Sequence, residues 1–319
     1  MADRINAAME RRFNLRNLLH TIILIVGTAA LAGGITWVVY GPNGLVWAAL
    51  FGAFGIFALS RVSPTMVLKL YKARELRPDE LPDLHDMVKT LATRAGLPVI
   101  PRLYYVPSQM LNAFAVGRKE DSAIAVTDAL LRTMSMRQIA GILGHELSHV
   151  RNGDLKVMGL ADVLNRITGF MSTLGLLGIP ALFGAGWNIP AAGLLLLIFA
   201  PTFGGLLQLA LSRAREFDAD LDGASLTGDP EGLASALALL EKRQQGKWEG
   251  LVLPGSRLPE PSMLRTHPRT EDRIARLMAL KTGTLEPTIA FTGNSRPGPS
   301  LVPPVRPPRI QWHRMGVWY

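Results

Sequence analysis

The stretch that decides the fold is NLLHTIILIVGTAALAGGITWVVYGPNGLVWAALFGAFGIFALS, residues 17–60, in which no Asp, Glu, Lys or Arg occurs. One helical membrane span needs about 20 apolar residues, so this run is long enough for two. Near its middle, the residues GPNG at 41–44 are typical of a turn. The run therefore predicts two membrane-spanning helices joined as a hairpin. A secretory signal peptide is the alternative, because arginines precede the run, but it would be shorter and would not be followed at once by a second span.

A second charge-free run covers residues 167–212. Its middle, between Gly178 and Pro190, combines Gly-Ala-Gly with Asn-Ile-Pro and interrupts the apolar pattern. This run predicts a second hairpin, which brings the expected number of transmembrane helices to four.

The basic residues predict the orientation of the four spans. Lys and Arg lie on the outer flanks of both hairpins, and neither turn contains one. Cytoplasmic segments of membrane proteins carry the excess of Lys and Arg, so both termini and the segment between the hairpins are expected in the cytosol. The predicted parts are a cytosolic N-terminus (1–16), hairpin 1 (17–60), a cytosolic part (61–166), hairpin 2 (167–212), a second cytosolic part (213–285) and a Pro-rich tail (286–319).

The composition agrees with a membrane protein and limits the chemistry. Hydrophobic residues make up 48% of the 319 residues and charged residues only 18%, while the net charge is +9. The basic residues form no stripe interleaved with aromatic residues, which argues against a nucleic-acid partner and for the surface of a lipid bilayer. The chain has no cysteine, so any metal site has to be built from His, Asp and Glu.

The soluble parts predict a small β-sheet beside several helices, and hence an α+β membrane protein. Residues 76–96 have the pattern of an amphipathic helix. Three short alternating runs follow at 102–106, 113–116 and 123–126, and the last two flank a polar turn, as in a β-hairpin.

Three further helices are expected. Ser135 and Gln138 form a capping-box pattern at the start of the first. The second should run from Asp229 to about residue 244, and the third from Thr266 to about residue 281. The tail from residue 286 holds seven of the 22 prolines and is expected to be extended or disordered.

The helix that follows Ser135 carries the sequence HELSH at residues 145–149, which has the pattern H-E-x-x-H. His145 and His149 lie on one helical face, so both imidazoles can bind one Zn²⁺ ion. Glu146 is placed to act as the general base that activates the attacking water. A surface helix with two solvated histidines is the alternative. Its apolar composition argues against that, because buried His and Glu without a partner would be costly.

A catalytic zinc ion takes three protein ligands and keeps one position open. The segment SRAREFDAD, residues 212–220, places Glu216 and Asp220 four residues apart on one helical face. Glu216 is the strongest candidate for the third ligand, with Asp220 accepting the free N–H of a ligand histidine. A solvated charge cluster at the membrane surface is the other interpretation. Arg213 is expected to pair with Asp154 or with Asp220, or to contact the substrate or the oxyanion.

Four motifs stand in order along the chain: NAFA (112–115), HELSHVRNGD (145–154), SRAREFDAD (212–220), and THP (266–268) followed by RI at 273–274. In this order they resemble the HtpX-type membrane zinc metallopeptidases, which are related to the CAAX prenyl-protease type and have a gluzincin-like domain. The resemblance covers about residues 1–282. It implies the following roles: zinc ligands His145, His149 and Glu216, with one Zn²⁺ per chain, a catalytic base Glu146, and a supporting carboxylate Asp220.

The resemblance also implies that residues Asn112, Ala113, Phe114 and Ala115 form an edge strand that grips the substrate backbone. A turn residue at the start of the strand is the alternative interpretation of Asn112. His267 either stabilises the tetrahedral intermediate or is a loop histidine ahead of a helix.

The resemblance implies endoproteolysis of damaged or misassembled membrane proteins at the cytosolic face of the bacterial inner membrane. The partners would be membrane-protein or unfolded polypeptide substrates and the bilayer. Two other functions compete with this one. An intramembrane site-2-type protease would use the Leu-Asp-Gly element at 221–223, although charged residues flank the H-E-x-x-H motif too closely for an apolar span. A membrane scaffold with a structural zinc ion would usually need four protein ligands.

Overall fold

The computed structural model describes residues 19, 21–23, 25–38, 41–61, 64–184, 191–248, 269–280, 297–302, 311–313 and 316–318. The predicted cytosolic N-terminus (1–16) and residues 185–190 of the second predicted turn lie outside the described residues. The elements in chain order are α1 (Thr21–Val38), α2 (Pro42–Arg61), α3 (Pro64–Leu70), β1 (Arg74–Glu75), α4 (Pro82–Arg94), β2 (Arg102–Val106), β3 (Ala113–Arg118), β4 (Asp121–Thr127), α5 (Asp128–Thr133), α6 (Met136–Asn152), α7 (Asp154–Gly184), α8 (Ala191–Thr227), α9 (Pro230–Trp248), α10 (Thr270–Ala279), β5 (Gln311–His313) and β6 (Gly316–Trp318).

Long apolar helices form one part of the structure. Within the described residues, two segments are long and apolar enough to cross a bilayer, namely α1 and Gly193–Thr227 of α8. Gly41 adopts the left-handed conformation with φ of 61° and turns the chain between α1 and α2, as expected for a hairpin. Helix α2 packs against α7, and α7 packs against α8. Four spans and their orientation stay a prediction.

The sheet confirms the predicted hairpin and adds a parallel pair. Strands β3 and β4 pair in antiparallel fashion, whereas β2 runs parallel to β4. The strand order is β1-β2-β4-β3, so β3 forms an edge of this four-stranded sheet. One face of the sheet packs with α4, α6 and α9 around the main hydrophobic core, and α3 covers the other face.

Helix α6 begins and ends where its local sequence predicts. The Ser135 hydroxyl accepts a hydrogen bond from the Gln138 backbone N–H, and the Gln138 side chain accepts one from the Ser135 backbone N–H, so the capping box is confirmed. Gly153 ends the helix in the left-handed conformation with φ of 69°. Asp154 then opens α7 directly.

Two expectations about element bounds were wrong. Helix α4 begins at Pro82, not at residue 76, because the Glu80 carboxylate accepts hydrogen bonds from the Arg77 backbone N–H and the Arg74 side chain and holds a turn there. Helix α7 continues through Gly178 to Gly184. In the tail, the strands β5 and β6 are extended, as expected, and pair with each other in antiparallel fashion.

Helices α6 and α8 approach each other closely at a glycine. A Cβ atom added at Gly223 would lie 2.7 Å from the backbone nitrogen of His145. Real side chains do not tolerate such a contact with a backbone atom, so glycine at 223 allows α8 to lie against the turn of α6 that carries His145.

Substituting Gly223 by Ala is therefore expected to destabilise the protein, although alanine has the higher helix propensity. Overpacking a rigid contact costs about 1–3 kcal/mol, more than the ~1 kcal/mol that replacing a helical glycine by alanine returns. The measurement is thermal unfolding in mild detergent. Gly169→Ala is the matched control, since no atom lies within 4 Å of a Cβ added there. An unchanged or higher Tm for Gly223→Ala would contradict the close approach.

Candidate active site

Three buried side chains from two helices converge on one point. The Nε2 atoms of His145 and His149, on α6, lie 3.2 Å apart. Glu216, on α8, places its Oε2 atom 3.5 Å from the His145 nitrogen and its Oε1 atom 3.5 Å from the His149 nitrogen. Among the described residues, the donor atoms of His145, His149 and Glu216 are close enough together to hold one metal ion.

The spacing of these donors fits a tetrahedral metal ion. Two ligand atoms bound about 2.0–2.1 Å from zinc at the tetrahedral angle are roughly 3.3–3.4 Å apart. The two imidazole nitrogens, 3.2 Å apart, are close to that value, and each has one Glu216 oxygen at 3.5 Å. Two imidazoles and one carboxylate also form a donor set known from catalytic zinc sites, which keep a fourth position open. The residues present therefore fit a zinc ion.

Asp220 contacts the His145 ring on the side opposite the donor cluster. Its Oδ1 atom lies 3.0 Å from Nδ1 of His145, the ring nitrogen that faces away from the donor cluster. Arg273, on α10, donates two hydrogen bonds of 2.6 Å to the Asp220 carboxylate. The same guanidinium lies 3.6 Å from Glu216. Arg273 therefore neutralises a carboxylate that would otherwise be buried without a counter-charge.

Asp154 holds the second histidine in the same way. Its Oδ2 atom lies 2.9 Å from Nδ1 of His149, and its other oxygen accepts a hydrogen bond from the buried Arg215 guanidinium. Asp154 lies in the first turn of α7, where the helix dipole favours a carboxylate. The centre thus contains two His-Asp-Arg chains, one for each imidazole.

The surrounding carboxylates change the protonation of both rings. Burial lowers the pKa of His145, but Asp220 and Glu216 more than offset it, so this pKa lies above its ordinary value. Burial also lowers the pKa of His149, and Asp154 together with Glu216 raises it well above the ordinary value. Because a ligand imidazole must be neutral, protons compete with a metal ion for these rings.

Glu146 lies next to the donor cluster and contacts the sheet. Its Oε2 atom accepts a hydrogen bond of 3.0 Å from the backbone N–H of Ala115, on the edge strand β3. Burial raises the pKa of Glu146, while the neighbouring imidazoles of His145 and His149 lower it by less. A carboxylate with a raised pKa, beside a metal-binding cluster and a strand edge, has the properties of a general base.

The predicted substrate strand lies beside this carboxylate. Ala113, Phe114 and Ala115 belong to β3, and their register with β4 points the backbone groups of Ala113 and Ala115 away from the partner strand. Asn112 exchanges hydrogen bonds with Thr127 where the strand begins. The Phe114 side chain is buried against Tyr71 on the far face of the sheet, and its backbone faces β4, so this strand can offer a substrate only the backbone groups of Ala113 and Ala115.

Two further predictions concern Arg213 and His267. The prediction that Arg213 pairs with Asp154 or Asp220 was wrong. Those carboxylates pair with Arg215 and Arg273, and the Arg213 side chain is exposed. Residues two apart on a helix point about 200° apart, so Arg213 cannot share the direction of Arg215. His267 lies outside the described residues.

Asp222, from the Leu-Asp-Gly element, is bound elsewhere. Its Oδ2 atom accepts hydrogen bonds from Ser148 and Asn152 and pairs with Arg151 at 2.7 Å. Asp222 thus links α8 to the outer side of α6 by hydrogen bonds, and it is not part of the donor cluster. This placement argues against an intramembrane site-2-type centre.

Sequence reasoning missed the roles of Arg215, Arg273 and Asp154. A signal for Asp154 exists, since a glycine that ends a helix followed at once by Asp predicts a reversal of the chain with a carboxylate at the next helix start. No comparable local pattern identifies Arg215 or Arg273, whose partners lie 61 and 53 residues away.

Comparison with known proteins supplies the family. The model of Peptidase family M48 matches residues 78–281, which include every side chain of the donor cluster and both arginines. The chain belongs to Peptidase family M48. It is therefore a protease, and the His-His-Glu cluster agrees with the metalloprotease type of this family.

Relatives of this M48 peptidase cover nearly the same length. Two proteins named Protease HtpX homolog, from Methylibium petroleiphilum and Acaryochloris marina, are each 36% identical to it. The alignments cover 83% and 86% of this chain and 98% and 99% of the relatives. The crystal structure of Ste24p from S. mikatae matches with a TM-score of 0.49 and 18% identity, over 83% of this chain and 65% of that one. The HtpX homologs and the apolar helices together support a membrane metalloprotease.

Proposed function

We propose that this M48 peptidase is a zinc endopeptidase that hydrolyses misfolded or damaged membrane proteins at the cytosolic face of the bacterial inner membrane. The observation that carries the proposal is the position of Glu146. This buried carboxylate stands between the donor cluster His145, His149 and Glu216 and the open edge of β3. A peptide added to that edge would therefore pass beside the base and the metal ligands.

The residues of this site divide the chemistry between them. When bound, a zinc ion supplies a Lewis acid that polarises the scissile carbonyl and makes water easier to deprotonate. Glu146 takes the proton from the attacking water and delivers it to the leaving amine. Asp220 and Asp154 keep both imidazoles oriented with their Nε2 atoms toward the ligand position.

The edge strand supports an unfolded polypeptide as the substrate. An extended peptide that adds to a sheet edge gains main-chain hydrogen bonds whatever its sequence. The outward backbone of Ala113 and Ala115 offers such groups, although one of them, the Ala115 N–H, is already bound to Glu146. Recognition by backbone favours broad specificity, which suits the removal of damaged chains.

The apolar helices support placement in the bilayer through four spans. Helix α2 has 20 residues, a length of about 30 Å that matches the hydrocarbon core. Large apolar side chains are exposed along α1, α2, α7 and α8, for example Trp37, Phe54, Phe170 and Phe203. Contact with water would be unfavourable for them, whereas contact with lipid would not. Glu216 lies four residues past the second charge-free run, about 6 Å along a helix, so the centre would lie close to the cytosolic boundary.

Metal-dependent cleavage of an unfolded protein is the expected activity. The full chain in lipid nanodiscs should hydrolyse fluorescein-labelled casein, lose this activity with 1,10-phenanthroline, and regain it with one equivalent of Zn²⁺. The Glu146→Gln variant, purified identically, controls for contaminating proteases. Cleavage that survives both the chelator and this substitution would refute the proposal.

The orientation can be tested separately because the chain has no cysteine. Asn43, in the first turn, and Lys119, in the β3–β4 turn, are both exposed. The substitutions Asn43→Cys and Lys119→Cys, made separately, therefore give two reporter chains with one accessible thiol each. A membrane-impermeant maleimide added to spheroplasts should label the cysteine at 43 only, and the cysteine at 119 after permeabilisation. The reverse pattern would place the protease part outside the cytosol.

A further inference from the structure

A chain of side-chain contacts connects the metal ligand His149 to the first apolar helix. His149 contacts Asp154 at 2.9 Å, and Asp154 accepts a hydrogen bond from Arg215. Arg215 donates a further hydrogen bond of 2.6 Å to the hydroxyl of Thr21, at the start of α1. Thr21 and Arg215 are 194 residues apart in sequence, so this contact forms only when α1 is seated against α8.

The contact matters because Arg215 is buried. Only 3% of its surface is exposed, and Asp154 is buried to the same degree. A buried guanidinium holds its position through the hydrogen bonds that its planar donors make, and Thr21 and Asp154 accept from two different nitrogens of the group. Removing the hydroxyl would leave one N–H without this acceptor and would free the guanidinium to rotate.

We propose that Thr21 is a positioning residue of the metal centre: it orients Arg215, which orients Asp154, which in turn holds the His149 ring. The inference rests on the proposed zinc site and deepens it. Zinc affinity would then depend on how the first membrane helix is seated, although Thr21 touches neither metal nor substrate. Loss of lipid contacts around α1 would weaken metal binding through the same residues.

Another threonine on the same helix provides a matched control. Thr36 is fully buried, but its hydroxyl donates to the carbonyls of Ala32 and Gly33 within α1. Thr36→Val makes the same chemical change as Thr21→Val without touching the connection to Arg215.

The test measures zinc affinity by competition with a chromophoric chelator, using the full chain in nanodiscs. Loss of an outer partner of a metal ligand typically costs about 10- to 100-fold in affinity, so this range is expected for Asp154→Asn. Thr21→Val acts two contacts further out and should cost about 3- to 10-fold. Thr21→Ser keeps the hydroxyl and should restore wild-type affinity, and Thr36→Val should leave it unchanged.

A double-mutant cycle separates positioning from general destabilisation. If Thr21 acts through Asp154, Thr21→Val should have little further effect on zinc affinity in the Asp154→Asn variant. The inference would be overturned if Thr21→Val lowered zinc affinity by the same factor in the wild-type and Asp154→Asn backgrounds. It would also be overturned if Thr36→Val lowered zinc affinity as much as Thr21→Val does. A wild-type chain that binds no zinc would instead overturn the proposed function, so the two failures are distinguishable.

Discussion

Replacing Glu146 by Gln is expected to reduce peptide-bond hydrolysis by about 10²- to 10⁴-fold, the usual contribution of a general acid–base group. Gln has nearly the same shape as Glu, and its amide oxygen can still accept the hydrogen bond from the Ala115 N–H. The geometry should therefore survive, while the ability to take a proton from water is lost. Because Glu146 is not part of the donor cluster, the metal content should not change.

The measurement combines zinc analysis with casein cleavage on the same preparation. Glu120→Gln, at an exposed position in the β3–β4 turn, makes the same chemical change away from the site and should alter neither quantity. Activity close to wild type in the Glu146→Gln variant would remove Glu146 from the mechanism. Loss of zinc together with activity would mean that this carboxylate is a ligand and not the base.

Replacing Glu216 by Gln is expected to remove both zinc and activity. Glu216 supplies the one carboxylate among the three donors, and a neutral amide oxygen is a much weaker zinc ligand. The loss of affinity should exceed the about 10- to 100-fold that an outer partner costs. The expected outcome is a chain that retains its fold but no longer holds zinc through purification.

Asp222→Asn provides the matched control on the same helix. Asp222 bonds to Ser148 and Asn152 on the outer side of α6, so its substitution should leave zinc in place. An intramembrane site-2-type centre predicts the opposite result, because there the aspartate of the Leu-Asp-Gly element binds the metal. Zinc lost from Asp222→Asn and kept by Glu216→Gln would reverse the assignment of the third ligand.

Features governed by residues near in sequence could be predicted. The capping box at Ser135, the β3–β4 hairpin and the placement of His145 and His149 on one face all depend on spacings of a few residues. Helical spacing also identified Glu216 and Asp220 as a pair on one face. Their convergence with the two histidines, however, depends on the close contact of α6 with α8, which the glycine at 223 permits.

Features governed by tertiary packing could not be predicted in the same way. Arg213 and Arg215 are chemically alike, and only the direction in which α8 faces α7 decides that Arg215 reaches Asp154. The pairing of Arg273 with Asp220 requires α10 to return to the site after 53 residues. The β5–β6 pair in the tail lacks a strong alternating pattern and follows many prolines, so composition alone predicted an extended chain.

Anomalous scattering at the zinc absorption edge, from crystals of the full chain, locates the metal ion directly. We expect one peak about 2.0–2.2 Å from the Nε2 atoms of His145 and His149 and from a carboxylate oxygen of Glu216, with no fourth protein ligand. A peak elsewhere, a fourth side chain on the ion, or a Glu216 side chain directed away from both histidines would contradict it.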